Sequence, residues 1–132
     1  MPRLELVVAT FERKLLEVEC DEVTLPGSEG YLGILPGHAP LITTVRPGEL
    51  RYRAGREEAY VAVAGGFCEV HDDRVTVLAD RAQLPGEVDL EMARRDAQEA
   101  EEVLNRTLDE SYVEVMERLE TARAWIQVGS RR

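Results

Sequence analysis

The first two thirds of the chain consist of short apolar runs separated by turn residues. Residues 15–20 alternate apolar and polar side chains, which is the pattern of a β-strand with one buried face. Pro-Gly, Gly-Gly and Asp-Asp pairs divide the runs at turn positions. Many short strands with regular turns predict an antiparallel β-sandwich or a flattened barrel. The predicted strands are residues 4–9, 15–20, 22–25, 31–35, 39–45, 49–53, 58–64, 66–70 and 74–79.

The pattern changes to helical spacing after residue 84. No proline follows Pro85, and alanine, glutamate and arginine become frequent. Asp89 is predicted to be the N-cap of a first helix, because its carboxylate can accept a backbone N–H of the first turn. Much of the apolar stripe is alanine, so we expect this helix to pack against another helix rather than against a wide sheet. The stripe is Leu90, Ala93, Ala97, Ala100 and Leu104.

A second helix is predicted to begin at Ser111. Ser111 and Glu114 have the spacing of a capping box, and Gly129 is expected to follow the last turn as its C′ residue. Trp125, near the end of this helix, fits either an exposed contact anchor or a packed residue. The short connection at residues 105–109 predicts that the two helices are antiparallel. The apolar face of the second helix is Tyr112, Val115, Leu119, Ala122 and Ile126.

These patterns together predict an α+β chain in two parts. Residues 1–84 form a β-sandwich, and residues 85–132 form an antiparallel two-helix hairpin. The apolar faces of the hairpin are narrow, so the free energy that docks it on the sandwich is expected to be small.

Charge and composition exclude several classes of protein. The 132 residues carry a formal net charge of −10, which argues against a nucleic-acid partner because phosphate binding needs a basic face. Each part contributes −5, from nine basic and 14 acidic residues in 1–84 and from seven basic and 12 acidic residues in 85–132. No apolar run approaches the roughly 20 residues of a membrane span, and the first residues lack the pattern of a signal peptide. We therefore expect a cytoplasmic protein.

The residue pattern offers little support for catalytic or metal chemistry. His38 and His71 lie in separate predicted loops, without a second ligand at metal spacing. The glycine-rich residues 27–33 lack the lysine and the following helix of a phosphate-binding loop. Cys20 and Cys68 have no Cys-x-x-Cys spacing and are expected to be buried thiols. We therefore predict an interaction protein with no catalytic residue, no metal site and no cofactor.

Four segments carry a specific resemblance to one family. Residues 25–41 read Leu-Pro-Gly-Ser-Glu-Gly-Tyr-Leu-Gly-Ile-Leu-Pro-Gly-His-Ala-Pro-Leu and closely resemble the epsilon subunits of F-type ATP synthases. Arg-Pro-Gly-Glu-Leu at residues 46–50, Val-Ala-Gly-Gly-Phe-Cys-Glu-Val at 63–70 and Val-Thr-Val-Leu-Ala-Asp at 75–80 agree in the same order. With the predicted hairpin, the resemblance spans nearly the whole chain.

The resemblance implies a non-catalytic subunit of the rotor. In this family the sandwich binds the gamma subunit and rests on the ring of c subunits, so that proton flow turns the ring and torque reaches the catalytic beta subunits. A member would be a peripheral protein at the cytoplasmic face of the bacterial plasma membrane, and it would meet the membrane only through the c-ring. Tyr31 stands where many relatives have an acidic residue, so an aromatic contact is expected there. The implied c-ring contacts are Glu29, Gly30, Tyr31, Leu32, His38, Ala39 and Pro40.

The resemblance also implies a regulatory role for the hairpin. In bacterial relatives the hairpin is either folded down or extended, and the extended form reaches the beta subunits and inhibits ATP hydrolysis. Arginines near the end of the chain are the candidates to meet acidic beta-subunit surface. The alternative is that the arginines pair within their own helix, with Glu114 and Glu120. The candidate contacts are Arg118, Arg123, Arg131 and Arg132.

A further property of some family members is ATP binding in the folded hairpin through Ile/Leu-Asp-x-x-Arg-Ala. Residues 88–93 read Val-Asp-Leu-Glu-Met-Ala, so Asp89 and Ala93 match, while Met92 replaces the arginine that would contact the nucleotide. We therefore expect weak or absent ATP binding. The alternative function is a nucleotide-binding sensor, and a third hypothesis, a stand-alone hydrolase, lacks a nucleophile with a base.

Overall fold

The chain has the predicted α+β architecture. The computed structural model describes residues 2–106 and 111–131. Two five-stranded sheets pack face to face, and a 3₁₀ turn at Pro85–Glu87 leads from the last strand to two helices. The elements are β1 (Leu4–Ala9), β2 (Lys14–Cys20), β3 (Glu22–Gly27), β4 (Gly30–Ile34), β5 (Leu41–Thr44), β6 (Gly48–Ala54), β7 (Glu57–Ala64), β8 (Phe67–His71), β9 (Arg74–Leu78), β10 (Arg81–Gln83), α1 (Leu90–Arg106) and α2 (Tyr112–Gly129).

The two sheets are almost entirely antiparallel. Their strand orders are β2-β1-β9-β8-β5 and β10-β7-β6-β3-β4. Among the described strands, β1 and β9 form the only parallel pair. The strands β4 and β5 are edge strands of different sheets, and a bridge between Gly27 and Val45 links the sheets beside them.

Alternation along the strands directs one set of side chains into the space between the sheets. In β1, Leu4, Leu6 and Val8 are fully buried, while the residues between them are partly exposed. Leu50 and Val61 of the other sheet join the same apolar cluster. Because burial of each such side chain stabilises the fold by about 1.5–3 kcal/mol, this cluster is the main support of the sandwich.

One predicted turn lies inside a strand. Pro26 and Gly27 end β3, and the chain reverses at Ser28 and Glu29 instead. A side chain at position 27 would collide with Leu32 of β4. The glycine therefore makes room for the Leu32 side chain where the two strands lie close together, and not for a turn.

Two strands differ from the prediction. The predicted strand 39–45 is reduced to β5, because Pro40 has no N–H to donate to a sheet. Val45 lies outside β5, in a bridge to Gly27 and in backbone hydrogen bonds with Gly65 and Gly66. The strand β10 is not predicted, because its three residues are too few to display alternation. It pairs with the end of β7, from Ala62 to Ala64.

The first helix begins as predicted and the second does not. The Asp89 carboxylate accepts the backbone N–H of Met92 at 3.0 Å, so Asp89 is the N-cap of α1. Ser111 has a helical backbone (φ −80°, ψ −4°), and its side chain makes no capping hydrogen bond. The predicted capping box with Glu114 is therefore wrong, since a capping side chain needs an extended backbone at the N-cap.

The end of α2 also differs from the prediction. Gly129 is the last helical residue and not the C′ residue. A Cβ atom at this position would lie 2.8 Å from side-chain atoms of Val88 and Leu90. The glycine thus lets the last turn of α2 approach the start of α1. Contact between the end of one helix and the start of the other shows that the two helices are antiparallel, as predicted. Residues 107–109 of the predicted connection lie outside the described residues.

The hairpin packs through two small apolar clusters. The middle of α1 contacts α2 rather than a sheet, as predicted, through Ala97, Ala100, Leu119 and Ala122. The second half of α2 lies on the outer face of the second sheet, over β6 and β7. The residues of that second cluster are Ala62, Ala64, Val88, Ala93, Ala124, Trp125 and Val128.

Candidate functional site

Five of the seven residues implied as docking contacts line one open groove between the edge strands β4 and β5. This edge groove has a volume of about 470 Å³. Ala39 and Pro40 lie outside it, and Pro40 borders an adjacent surface with Ile42 and His71. The edge groove is lined by Ser28, Glu29, Gly30, Tyr31, Leu32, His38, Leu41, Ile42 and Thr43.

The edge groove is lined by both polar and apolar side chains, and two of its large apolar side chains are exposed. The exposed fractions of Tyr31 and Ile42, which line the groove, are 59% and 71%. Large apolar side chains that gather in one exposed region are typical of protein interaction surfaces. Ile42 also lines the edge groove, and the sequence pattern does not reveal this. The pattern shows only that Ile42 lies in a strand, and not which groove that strand borders.

One hydrogen bond from outside the loop and two within it hold the His38 end of the edge groove. The Gly37 N–H donates to the Asp73 carboxylate at 2.7 Å, and the His38 N–H donates to the Leu35 carbonyl at 3.1 Å. His38 Nδ1 lies 2.7 Å from the Ala39 carbonyl oxygen. Because a carbonyl can only accept, Nδ1 carries a hydrogen and the imidazole is held in place.

Tyr31 has a structural role as well as an exposed ring. Its hydroxyl oxygen accepts the Glu49 backbone N–H at 3.0 Å. The pairing of β3 with β6 ends at Thr24, and Pro26 of β3, which lies beside Gly48, has no N–H. The Tyr31 hydroxyl, and not β3, therefore accepts the Glu49 N–H. A Cβ atom on Gly48 would lie 2.5 Å from the Tyr31 hydroxyl oxygen. The missing side chain therefore makes room for this bond.

Trp125 is a packed residue and not an exposed anchor. Its side chain is buried against the small side chains of Ala62 and Ala64 on the outer face of β7. The indole N–H donates to the Gln83 side-chain oxygen at 2.7 Å, and the Arg81 guanidinium lies 4.7 Å from the ring centroid. This geometry combines a satisfied indole with a cation–π contact, and it ties α2 to β10.

The arginines of α2 pair across the hairpin. Arg118 contacts Glu99 at 2.9 Å and Arg123 contacts Glu101 at 3.1 Å, both on α1. Arg118 and Arg123 therefore do not make the pairs with Glu114 and Glu120 that the alternative interpretation gave them, because these long side chains reach the facing helix. Both ion pairs are exposed, and such pairs contribute little to stability. Arg132 lies outside the described residues.

Two further ion pairs join the hairpin to the sandwich. Glu120 contacts Arg46 at 3.1 Å, and the Arg131 guanidinium contacts the Glu49 carboxylate at 2.9 Å. The hydrogen bonds that Arg131 donates to the Glu49 carboxylate raise the pKa of Arg131 above its ordinary value. The structure thus places Arg131 against its own chain.

The residues of the nucleotide motif have structural explanations. Asp89 caps α1, Ala93 is buried in the cluster under the hairpin, and Met92 is exposed. These residues border a cavity of about 110 Å³, together with Arg81, Asp96 and Trp125. Ligand pockets are typically about 300–1,000 Å³, so this cavity is small for a nucleotide.

Neither histidines nor thiols form a reactive centre in the part of the chain that the structure describes. No group of three His, Cys, Asp or Glu residues there has the geometry of a metal site. Cys20 and Cys68 are buried and unbonded to each other, as predicted. Burial raises the pKa of both thiols, to about 12 for Cys68, so both are held in the unreactive protonated form.

The fold defines a class of protein, a β-sandwich followed by a helical hairpin, with an open groove between two edge strands. The family model described as "ATP synthase, Delta/Epsilon chain, beta-sandwich domain" matches residues 3–85. An ATP synthase epsilon chain of Anaeromyxobacter sp. (strain Fw109-5) is 41% identical over 130 residues, covering 97% of this chain and 98% of the relative. An ATP synthase epsilon chain of Dehalococcoides mccartyi (strain CBDB1) is 46% identical over 101 residues, covering 76% and 72%. The chain belongs to the ATP synthase epsilon chain family.

Two solved structures share the fold. A chain of the Euglena gracilis mitochondrial ATP synthase has a TM-score of 0.81 at 21% identity, covering 100% of this chain and 83% of that chain. A chain of the central stalk and c-ring of the Tetrahymena thermophila mitochondrial ATP synthase has a TM-score of 0.68 at 20% identity, covering 94% of each chain.

Family membership settles the hypotheses on catalysis. An epsilon chain is a non-catalytic central-stalk subunit, and the catalytic sites of ATP synthase lie in other subunits. The chain is therefore a peripheral subunit of a membrane complex that carries out ATP synthesis and proton transport. In residues 2–106 and 111–131, neither helix is long and apolar enough to cross a membrane.

Proposed function

We propose that the sandwich, residues 1–84, couples the c-ring to the gamma subunit at the cytoplasmic face of the bacterial plasma membrane, and that the edge groove faces the ring. The edge groove carries this proposal, because it collects exposed apolar side chains beside the predicted contacts Glu29, Tyr31 and His38. The hydrogen bonds at Gly37 and Tyr31 fix both ends of the groove before docking. A preorganised surface loses little entropy when it binds.

A double substitution tests the ring contact. Glu29→Lys combined with His38→Ala changes the charge and one polar group of the edge groove, and we expect the variant to lose co-purification with the c-ring. Glu57→Lys is the matched control, since Glu57 is exposed at the opposite end of the same sheet. If the double variant co-purifies with the ring as well as the control does, the edge groove is not the ring contact.

The hairpin, residues 85–132, is proposed to inhibit ATP hydrolysis when it leaves the sandwich and reaches the beta subunits. Exposed ion pairs hold Arg118 and Arg123 in the docked form, and such pairs exchange at little cost. Both arginines are then available to acidic beta-subunit surface in an extended form. Two packings of one hairpin need differ by only a few kcal/mol to interconvert.

Deletion of the hairpin tests the inhibitory role. Removal of residues 88–132 leaves all ten strands in place, so we expect the assembled complex to form and its ATP hydrolysis to rise. Unchanged hydrolysis in the truncated complex would remove the inhibitory role and leave the coupling role standing.

ATP binding by the isolated chain is proposed to be weak or absent. Met92 supplies no charge, and the adjoining cavity is small. Isothermal titration calorimetry with ATP checks this expectation. A micromolar dissociation constant would favour the nucleotide-sensor alternative.

A further inference from the structure

Glu49 is the only charged residue that is buried among residues 2–106 and 111–131, with 9% of its surface exposed. It lies on the outer face of β6, opposite Ala62 of β7 and under the last turns of α2. A buried carboxylate is stable only when it is paired and hydrogen-bonded. The groups that pair with the Glu49 carboxylate therefore show which part of the chain this residue binds.

All side-chain partners of Glu49 come from the end of the hairpin. The Arg131 guanidinium donates to both carboxylate oxygens, at 2.9 and 3.0 Å, in a bidentate pair. The Gln127 amide donates to the same carboxylate at 3.4 Å. Bidentate arginine–carboxylate pairs combine strength with a fixed orientation, so the last turn of α2 is held in one position on β6.

Arg131 is also held from its other side. Its guanidinium lies 4.1 Å from the centroid of the Tyr60 ring on β7. The Tyr60 hydroxyl donates to the Glu58 carboxylate at 2.7 Å, which fixes the ring and keeps the pKa of Glu58 below its ordinary value. The arginine thus meets a carboxylate and an aromatic face that both belong to the sandwich.

The pair is suited to a reversible contact. When α2 leaves the sheet, Glu49 on the outer face and Arg131 near the end of the chain both return to water, so neither charge remains buried alone. The pair therefore stabilises the docked hairpin without obstructing the undocked one. An apolar contact of the same area would instead leave an exposed apolar surface after release.

We propose that the Glu49–Arg131 pair is a latch that sets the fraction of molecules whose hairpin is docked on the sandwich. The latch predicts that its loss releases the hairpin while the sandwich remains folded. Its regulatory meaning rests on the proposed inhibitory role of the extended hairpin, whereas the latch itself is a property of the isolated chain.

Trp125 supplies the measurement, since it is the only tryptophan of the chain and is buried under the docked hairpin. In the full chain, Glu49→Gln and Arg131→Gln are each expected to raise acrylamide quenching of Trp125 fluorescence by at least about two-fold, with no further increase in the double variant. Glu101→Gln is the matched control, because it removes an ion pair within the hairpin that does not reach the sandwich. Quenching equal to that of the control in both single variants would overturn the latch.

The Arg131→Gln variant is expected to fold, because Arg131 is an exposed residue after the last helix and its loss leaves the sandwich core unchanged.

ATP hydrolysis by the reconstituted complex separates the latch from the proposed inhibitory role. With the latch broken, hydrolysis should fall by about two-fold or more, because more hairpins are extended. Increased quenching with unchanged hydrolysis supports the latch and contradicts the inhibitory role.

Discussion

At the residue scale, long-range contacts decide roles that the local pattern leaves open. The sequence predicts a turn at Asp72 and Asp73, and both residues have positive φ, 49° and 60°. It does not predict that Asp73 holds the Gly37 N–H, because the two positions are 36 residues apart. Aspartate at positive φ is uncommon and costs backbone energy. Here the side chain of one such residue fixes the loop beside the edge groove.

Burial of Cys68 predicts a loss of stability in alkaline solution. Its pKa rises from 9.0 to about 12 on folding, so the unfolded chain releases the thiol proton first. Stability is therefore complete below pH 9 and falls above it, by about 1.4 kcal/mol per pH unit for this group. Urea unfolding under reducing conditions, from about pH 8 to about pH 10, measures this slope. Cys68→Ala should flatten it, and an unchanged slope would show that the thiol does not titrate on unfolding.

At the scale of the element, periodicity predicts more than cap residues do. The alternating and helical patterns identify nine of the ten strands and both helices. They miss the three-residue β10, whose existence depends on the end of β7. The Asp89 cap is predicted correctly and the Ser111 cap is not, because the backbone at Ser111 is already helical. Gly129 is predicted to be the C′ residue after α2, but it lies in the last turn of α2 and lets this turn contact the start of α1.

Asp89 therefore gives a prediction for the first helix. Asp89→Ala removes the side-chain acceptor for the Met92 N–H and should lower the free energy of unfolding by about 1 kcal/mol. Asp89→Asn preserves an acceptor at the same place and should stay within about 0.5 kcal/mol of the parent. Urea denaturation compares the three chains. An equal loss in both variants would mean that the charge of Asp89, and not its capping bond, stabilises the protein.

At the scale of the whole molecule, the sequence predicts two parts but not the contact between them. The edge groove contains residues 29–32 and His38, which the resemblance implies, yet its apolar wall at Ile42 comes from a different sheet. From the sequence, Trp125 could be an exposed contact residue or a packed one. The structure shows that it packs on Ala62 and Ala64 of β7, which lies between β6 and β10. Contacts between distant elements are therefore what the linear pattern cannot supply.

The final prediction concerns how the two parts unfold. Trp125→Ala removes the largest side chain of the cluster between hairpin and sandwich, and large-to-small changes of this kind cost about 3–5 kcal/mol. Two helices of 17 and 18 residues are marginal without tertiary support. We therefore expect their far-UV circular dichroism signal to melt in a separate transition, below that of the sandwich.

Val113→Ala is the control for this experiment, because Val113 is 67% exposed on the same helix and should leave the melting profile unchanged. A separate helical transition in the Trp125 variant would mean that the packing of Trp125 is needed to join the two parts into one cooperative unit. A single transition at reduced temperature would mean instead that the sandwich and the hairpin unfold together without Trp125. The hairpin could not then be released without unfolding the sandwich, which would contradict both the proposed extended form and the latch.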